Sequence, residues 1–132
     1  MVVQAPNGVW WCLTVGLAEV MLGDDMRLPK HVVVCGYDYE VIRVTARTPA
    51  GILPKDWGET TCGYFETDPI ARIWIRSVPK NPAIELDSFV HEILHAVLYG
   101  SGAGRFVKRE EDLLHTLTPA FIAALKSARL IR

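Results

Sequence analysis

The sequence predicts an α+β domain: an N-terminal helix, a small twisted sheet of about three or four strands, mixed or antiparallel, then a central helix and a closing helix. Three observations carry this prediction. Two β-branched runs flank a Gly-containing turn between residues 32 and 44. Apolar residues recur at helical intervals over 83–99, and again from Arg109 or Glu110 to Leu130. With 132 residues, half of them hydrophobic, the chain can bury a core of its own, so 1–132 is expected to be one domain with its core over about 30–125.

In chain order, Pro6-Asn7-Gly8 leads into Val9–Leu22, whose apolar periodicity ends at Gly23-Asp24-Asp25 and predicts the first helix, with Trp10 and Trp11 as core aromatics. Glu19 and the lack of a basic lead-in argue against a secretory signal or a membrane span there. Val32–Cys35 and Tyr39–Val44, joined by Gly36-Tyr37-Asp38, predict a β-hairpin. Thr45–Thr61 holds Pro49, Gly51, Pro54 and Gly58 and reads as a loop with a short helical turn near Asp56. Gly63-Tyr64, a polar turn and Ile70–Arg76 predict a second hairpin, whose last strand alternates Ile73 and Ile75 with Trp74 and Arg76 as a half-buried strand would.

The central helix is expected over Ala83–Tyr99, with starts near Asn81 and near Asp87 both open, and with Gly100–Gly104 breaking it. That break lacks the Lys-Ser or Lys-Thr of a phosphate loop. The closing helix aligns Leu113, Leu114, Leu117, Phe121, Ala124 and Leu125 on one face, and Pro119 is expected to kink it.

Formal net charge is −1, and no run of Lys or Arg forms a stripe, so no nucleic-acid partner is expected. Cys12, Cys35 and Cys62 are widely spaced and odd in number, which predicts buried thiols in a reducing compartment, hence a cytoplasmic protein with no membrane partner.

Chemistry concentrates in Val90–Tyr99, which reads Val-His-Glu-Ile-Leu-His-Ala-Val-Leu-Tyr. His91 and His95 stand one helical turn apart, so both imidazoles leave one face at a spacing that suits two ligands of one tetrahedral zinc ion. Glu92 can reach past that ion to a bound water and serve as its general base. Val90, Ile93, Leu94, Val97 and Leu98 are expected to fix the helix in the core and so hold that geometry. The alternative, two core-edge histidines hydrogen-bonded to backbone, leaves three ionisable groups in an apolar stretch with nothing to neutralise them.

The closing helix offers a third ligand. Wound at about 100° per residue, it puts Glu110 in line with Leu114, Leu117 and Phe121, with Glu111 at the edge of that face and His115 off it. Glu110 is therefore the first choice, Glu111 the alternative and His115 the last. A carboxylate beside two histidines favours zinc, one ion with an open position for water. His31, ahead of the first strand, reads as a turn residue.

The hairpin of Val32–Val44, the strand Ile70–Ile75, the segment Phe89-Val90-His91-Glu92-Ile93-Leu94-His95-Ala96 and the downstream Glu110-Glu111-Asp112-Leu113-Leu114 together resemble small phage and prophage zincin-like metallopeptidases. They are similar to the ImmA/IrrE-like and SprT-like minimal metalloprotease domains. The resemblance covers about residues 30–125, and its specific part is the His91–Ala96 segment with Glu110-Glu111. It implies a zincin-like domain, a closing helix that donates an acidic ligand and, for a phage-encoded chain, the cytoplasm of a bacterial host. SprT-like proteins usually supply a third histidine, and the extended histidine pattern of metzincins is missing, since 101–105 reads Ser-Gly-Ala-Gly-Arg.

A zinc peptidase needs an oxyanion donor, for which Tyr64, Tyr99 and His115 are candidates. The strand around Ile73, Trp74 and Ile75 is expected to be an edge on which an extended protein or peptide substrate pairs. Two other functions use the same residues: a zinc-stabilised regulatory or interaction module with little turnover, and a metal-dependent hydrolase of RNA or another phosphodiester. The second would need a basic groove.

Overall fold

The computed structural model describes residues 28–68, 70–129 and 131, so the helix expected over Val9–Leu22, with Trp10, Trp11 and Cys12, lies outside the described residues. Four strands and two long helices make up the rest, an α+β arrangement. Strands β1 (His31–Val34) and β2 (Tyr37–Val44) pair antiparallel, His31 opposite Glu40 and Val34 opposite Tyr37. Their turn is Cys35-Gly36, shorter than the expected Gly36-Tyr37-Asp38. Both turn residues have positive φ, 51° and 83°, as a two-residue hairpin turn that follows the strand twist requires. Cysteine gives no local signal for that backbone region, which is why the turn was expected one residue late. His31 is the exposed first residue of β1, its Nδ1 3.2 Å from Asp38 Oδ1.

The loop after β2 makes a 3-10 turn at Ala50–Ile52, and only a simple turn near Asp56. Strand β3 (Gly63–Glu66) then pairs antiparallel with β4 (Arg72–Arg76), and β4 runs parallel to β2. The resulting order, β1-β2-β4-β3, corrects one expectation: β4 is interior, and the edges are β1 and β3. The main chain of β4 is paired on both sides, and Ile73, Trp74 and Ile75 are all buried, at 0%, 2% and 0% exposure. They present no free edge to a substrate, and the strand is not half-buried. Trp74 belongs to the sheet face opposite Ile73 and Ile75, where its Nε1–H donates to Glu66 Oε1 at 3.0 Å.

Helix α1 (Pro82–Ser101) covers the Ile73 and Ile75 face. Of the two possible starts the chain takes Asn81, with Pro82 in the first turn, where a missing N–H costs nothing. It ends at Ser101, two residues beyond Tyr99, and is capped by Gly102 in the left-handed region. Leu86, Phe89, Val90, Ile93 and Ala96 pack on Val32, Val34, Tyr39, Ile73 and Ile75, with Leu94 and Val97 partly buried at the margin. The first turn is fixed by Arg43 on β2, whose Nε–H donates to the buried Glu85 carboxylate at 2.8 Å and whose Nη2 donates to Ser77 Oγ at 3.0 Å. None of the described helices is long and apolar enough to cross a membrane.

Helix α2 (Glu110–Ser127) packs across α1 and contains Pro119. Its buried residues are Leu114, Thr118 and Leu125, with Phe121 and Ile122 partly buried, whereas Leu117 is 42% exposed and Ala124 is exposed. The inward face is thus rotated from the expected one, toward a threonine that an apolar count overlooks. Cys35 is partly buried but Cys62 is exposed, so the expectation of buried thiols fails for Cys62.

Gly100 sits where the last turns of α1 meet the β1–β2 turn: a Cβ there would lie 2.4 Å from Cys35 Cβ. Alanine would favour the helix by up to about 1 kcal/mol over glycine. That gain cannot offset a clash that no side-chain rotation relieves, and overpacking of this kind costs about 1–3 kcal/mol. Gly100→Ala is expected to be destabilising by about 1–2 kcal/mol in denaturant unfolding. An unchanged or higher midpoint would contradict this packing.

Candidate metal centre

Helix periodicity on α1 places His91 and His95 side by side, ring centroids 4.8 Å apart, on the surface that α2 covers. The first turn of α2 then delivers its carboxylates. Glu111 Oε2 lies 3.2 Å from His91 Nε2, and Glu111 Oε1 lies 2.5 Å from His95 Nε2. One ligand atom from each of these three residues falls within 4.8 Å of the others. In a tetrahedral zinc site with bonds near 2.0–2.1 Å, ligand atoms stand about 3.4 Å apart, so two imidazoles and a carboxylate gathered within 4.8 Å could hold one such ion.

Glu110 has a different position from the one expected of it. Its Oε2 lies 2.5 Å from His95 Nδ1, on the far side of the ring from Glu111. It stands against Nδ1 of that imidazole, while Glu111 stands against the Nε2 atoms of both histidines. Leu114 and Thr118, three and seven residues after Glu111, mark the inward face of α2, and Glu110 and Glu111 stand at its two margins, the Glu110 side chain 34% exposed and that of Glu111 62%. Thr118 also has a contact in the site, its Oγ1 3.4 Å from His91 Nδ1. Each histidine thus has its Nδ1 held by a residue of α2 and its Nε2 turned to Glu111, the arrangement by which outer partners set the tautomer of a ligating imidazole. Burial pushes the His91 pKa below its ordinary value, against a smaller upward pull from Glu111, which favours the neutral form that binds metal. Phe65 of β3 stacks on the His95 ring at 5.6 Å and 12°.

Glu92 is 6% exposed, and burial pushes its carboxyl up to about 7, against a smaller downward pull from His95 and with a further push from Glu111. It reaches its position under the edge strand because Gly63 leaves room: a Cβ there would lie 2.9 Å from Glu92 Cγ. Two clefts of about 360 and 310 Å³ meet at this point, both lined by Gly63, Glu92 and Glu111. The larger also takes in His91 and His115, and the smaller Tyr64, Phe65, His95 and Glu110.

Of the oxyanion candidates, His115 and Tyr64 line these clefts, with His115 Nε2 3.6 Å from Glu111 Oε2. Tyr99 lines neither; it is half exposed and packs edge-on against Phe65 at 6.2 Å. Residues the sequence reading passed over are Thr118, Phe65 and Gly63. For Gly63 a signal existed, since a glycine inside a strand often marks a close approach. Comparison with family models, curated proteins and solved structures gives no match to this chain.

Two outcomes are expected of this geometry. Glu111→Gln should weaken zinc binding far more than Glu110→Gln or Thr118→Val, each of which should cost about 10–100-fold, in competition with a chromophoric chelator. A larger loss for Glu110→Gln than for Glu111→Gln would reverse the two roles. The second concerns metal-free protein. A carboxyl whose folded pKa is raised from 4.5 to about 7 contributes stability that is intact below about pH 4.5 and is lost as pH rises through 7. After chelation, Glu92→Gln should therefore gain on wild type between pH 5 and pH 8, by on the order of 1–3 kcal/mol in denaturant unfolding. A difference that is constant with pH would contradict the burial of this carboxyl.

Proposed function

We propose that the protein is a zinc-dependent metallopeptidase of the zincin-like type that its His91–Ala96 segment resembles, hydrolysing peptide bonds of a protein substrate. The observation that carries this is the position of Glu92: a buried carboxyl with a pKa raised to about 7, opening on two clefts at the point where His91, His95 and Glu111 converge. A structural zinc site uses four protein ligands and is closed, whereas three ligands beside a cleft leave a position for water. A general base must lie within reach of the water it deprotonates, and Glu92 lines both clefts beside the histidines.

His91, His95 and Glu111 would hold the ion, which when bound acidifies water and polarises a carbonyl. Glu92 accepts the proton of the attacking water and returns it to the leaving amine nitrogen. Glu110 and Thr118 keep the two imidazoles in one tautomer, so that neither ring turns away during turnover. His115 and Tyr64, lining the clefts on either side, are placed to donate a hydrogen bond to the developing oxyanion. Among the described residues strand β3 has β4 on one side only, so its other main-chain edge can pair with an extended peptide. This edge takes the part that the sequence reading gave to Ile73–Ile75.

Both clefts are lined with carboxylates and, among the described residues, by no Lys or Arg, which counts against a polyanionic RNA substrate. Glu92→Gln separates a peptidase from a zinc-stabilised interaction module. It should keep one zinc per chain and an unchanged fold, while cleavage of a denatured-protein or peptide-library substrate falls by at least about 100-fold. Cleavage at the wild-type rate in that variant would remove Glu92 from the chemistry.

A further inference from the structure

The larger cleft extends beyond the metal cluster along the face of α1, where Ile84, Asp87 and Ser88 line it one and two turns before His91. Its carboxylates have separate tasks. Glu111 faces the two imidazoles and Glu92 is the proton acceptor, but Asp87 is exposed and, among the described residues, joins no ion pair. Three residues away, Ile84 is an exposed aliphatic side chain on the same lining, 42% accessible. A helix places residues three apart side by side, so an apolar wall and an exposed carboxylate stand next to each other.

That pairing suits one class of side chain. Lysine and arginine carry an aliphatic stem that packs on apolar surface and a charged head that seeks a carboxylate. A glutamate or aspartate would meet Asp87 as a like charge, and a purely aliphatic side chain would leave Asp87 to water alone. We infer that the Ile84 and Asp87 cleft is a substrate subsite for a lysine or arginine side chain near the scissile bond. The inference rests on the proposal that a peptide lies across the metal centre, and it adds the chemistry of the residue that is selected. The stem lies along Ile84, and the charged head reaches the Asp87 carboxylate, with the hydroxyls of Thr60 and Ser88 lining the same space.

Binding can be read without turnover. Zinc-loaded Glu92→Gln is titrated, by competition anisotropy, with acetylated and amidated octapeptides in which one position at a time is lysine, norleucine or glutamate. Lysine should bind about tenfold tighter than norleucine at one position, with glutamate weakest, and high salt should narrow the ratio. Adding Asp87→Asn should bring the lysine-to-norleucine ratio below about threefold while the norleucine affinity is unchanged. Adding Ile84→Ser should weaken lysine and norleucine alike. A ratio that Asp87→Asn leaves unchanged, or no lysine preference at any position, overturns the subsite. The same peptides offered to wild-type protein test the parent reading. Cleavage without a lysine preference overturns the subsite alone, preference without cleavage overturns the peptidase alone, and neither binding nor cleavage overturns both.

Discussion

The carboxylate of Glu111 sits between the Nε2 atoms of His91 and His95, and this contact can form only where two helices cross at one particular rotation. Helix α1 supplies its half because Leu86, Phe89, Val90, Ile93 and Ala96 fix it on the sheet, so that the histidines emerge on the side α2 covers. The other half comes from α2, whose buried stripe of Leu114, Thr118 and Leu125 seats its first turn against the histidines, with Glu110 and Glu111 at the margins of that stripe. The same packing keeps Glu92 out of water, and that burial is the main cause of its raised pKa.

Two glycines show how closely the pieces approach one another. Gly100 lets the β1–β2 turn lie against the end of α1, and Gly63 lets the edge strand pass over Glu92. Larger residues at either place would push apart elements whose spacing fixes the centre. At Gly63 the displaced group would be the buried Glu92 carboxyl. The Gly-rich segment after Tyr99 needs no ligand to explain it: Gly100 serves a close approach and Gly102 ends the helix in the left-handed region.

Much of this was legible in the residue pattern. The hairpin from β-branched runs, the helix carrying His91, Glu92 and His95, and the acidic start of the last helix all follow from period and composition. Three features did not. The Cys35-Gly36 turn is set by backbone φ that cysteine rarely adopts, so the sequence offered no local sign of it. The interior place of β4 depends on a parallel pairing with β2 across a loop and another strand, a non-local choice that alternation cannot encode. The inward face of α2 departs from its apolar stripe because Thr118 is polar yet 2% exposed, its hydroxyl spent on His91 Nδ1, while Leu117 is 42% exposed. A buried polar residue beside a reactive cluster is where pattern rules fail, since its burial is decided by a partner on another element.

The central claim is that His91, His95 and Glu111 form one metal centre, with Glu110 behind it. Diffraction from zinc-loaded crystals at the zinc absorption edge tests this most directly. The account predicts a single anomalous peak about 2.0–2.2 Å from both histidine Nε2 atoms and from a Glu111 oxygen, with Glu110 still on His95 Nδ1. A peak held by Glu110 or by Cys62, or no peak between the two histidines, would contradict it.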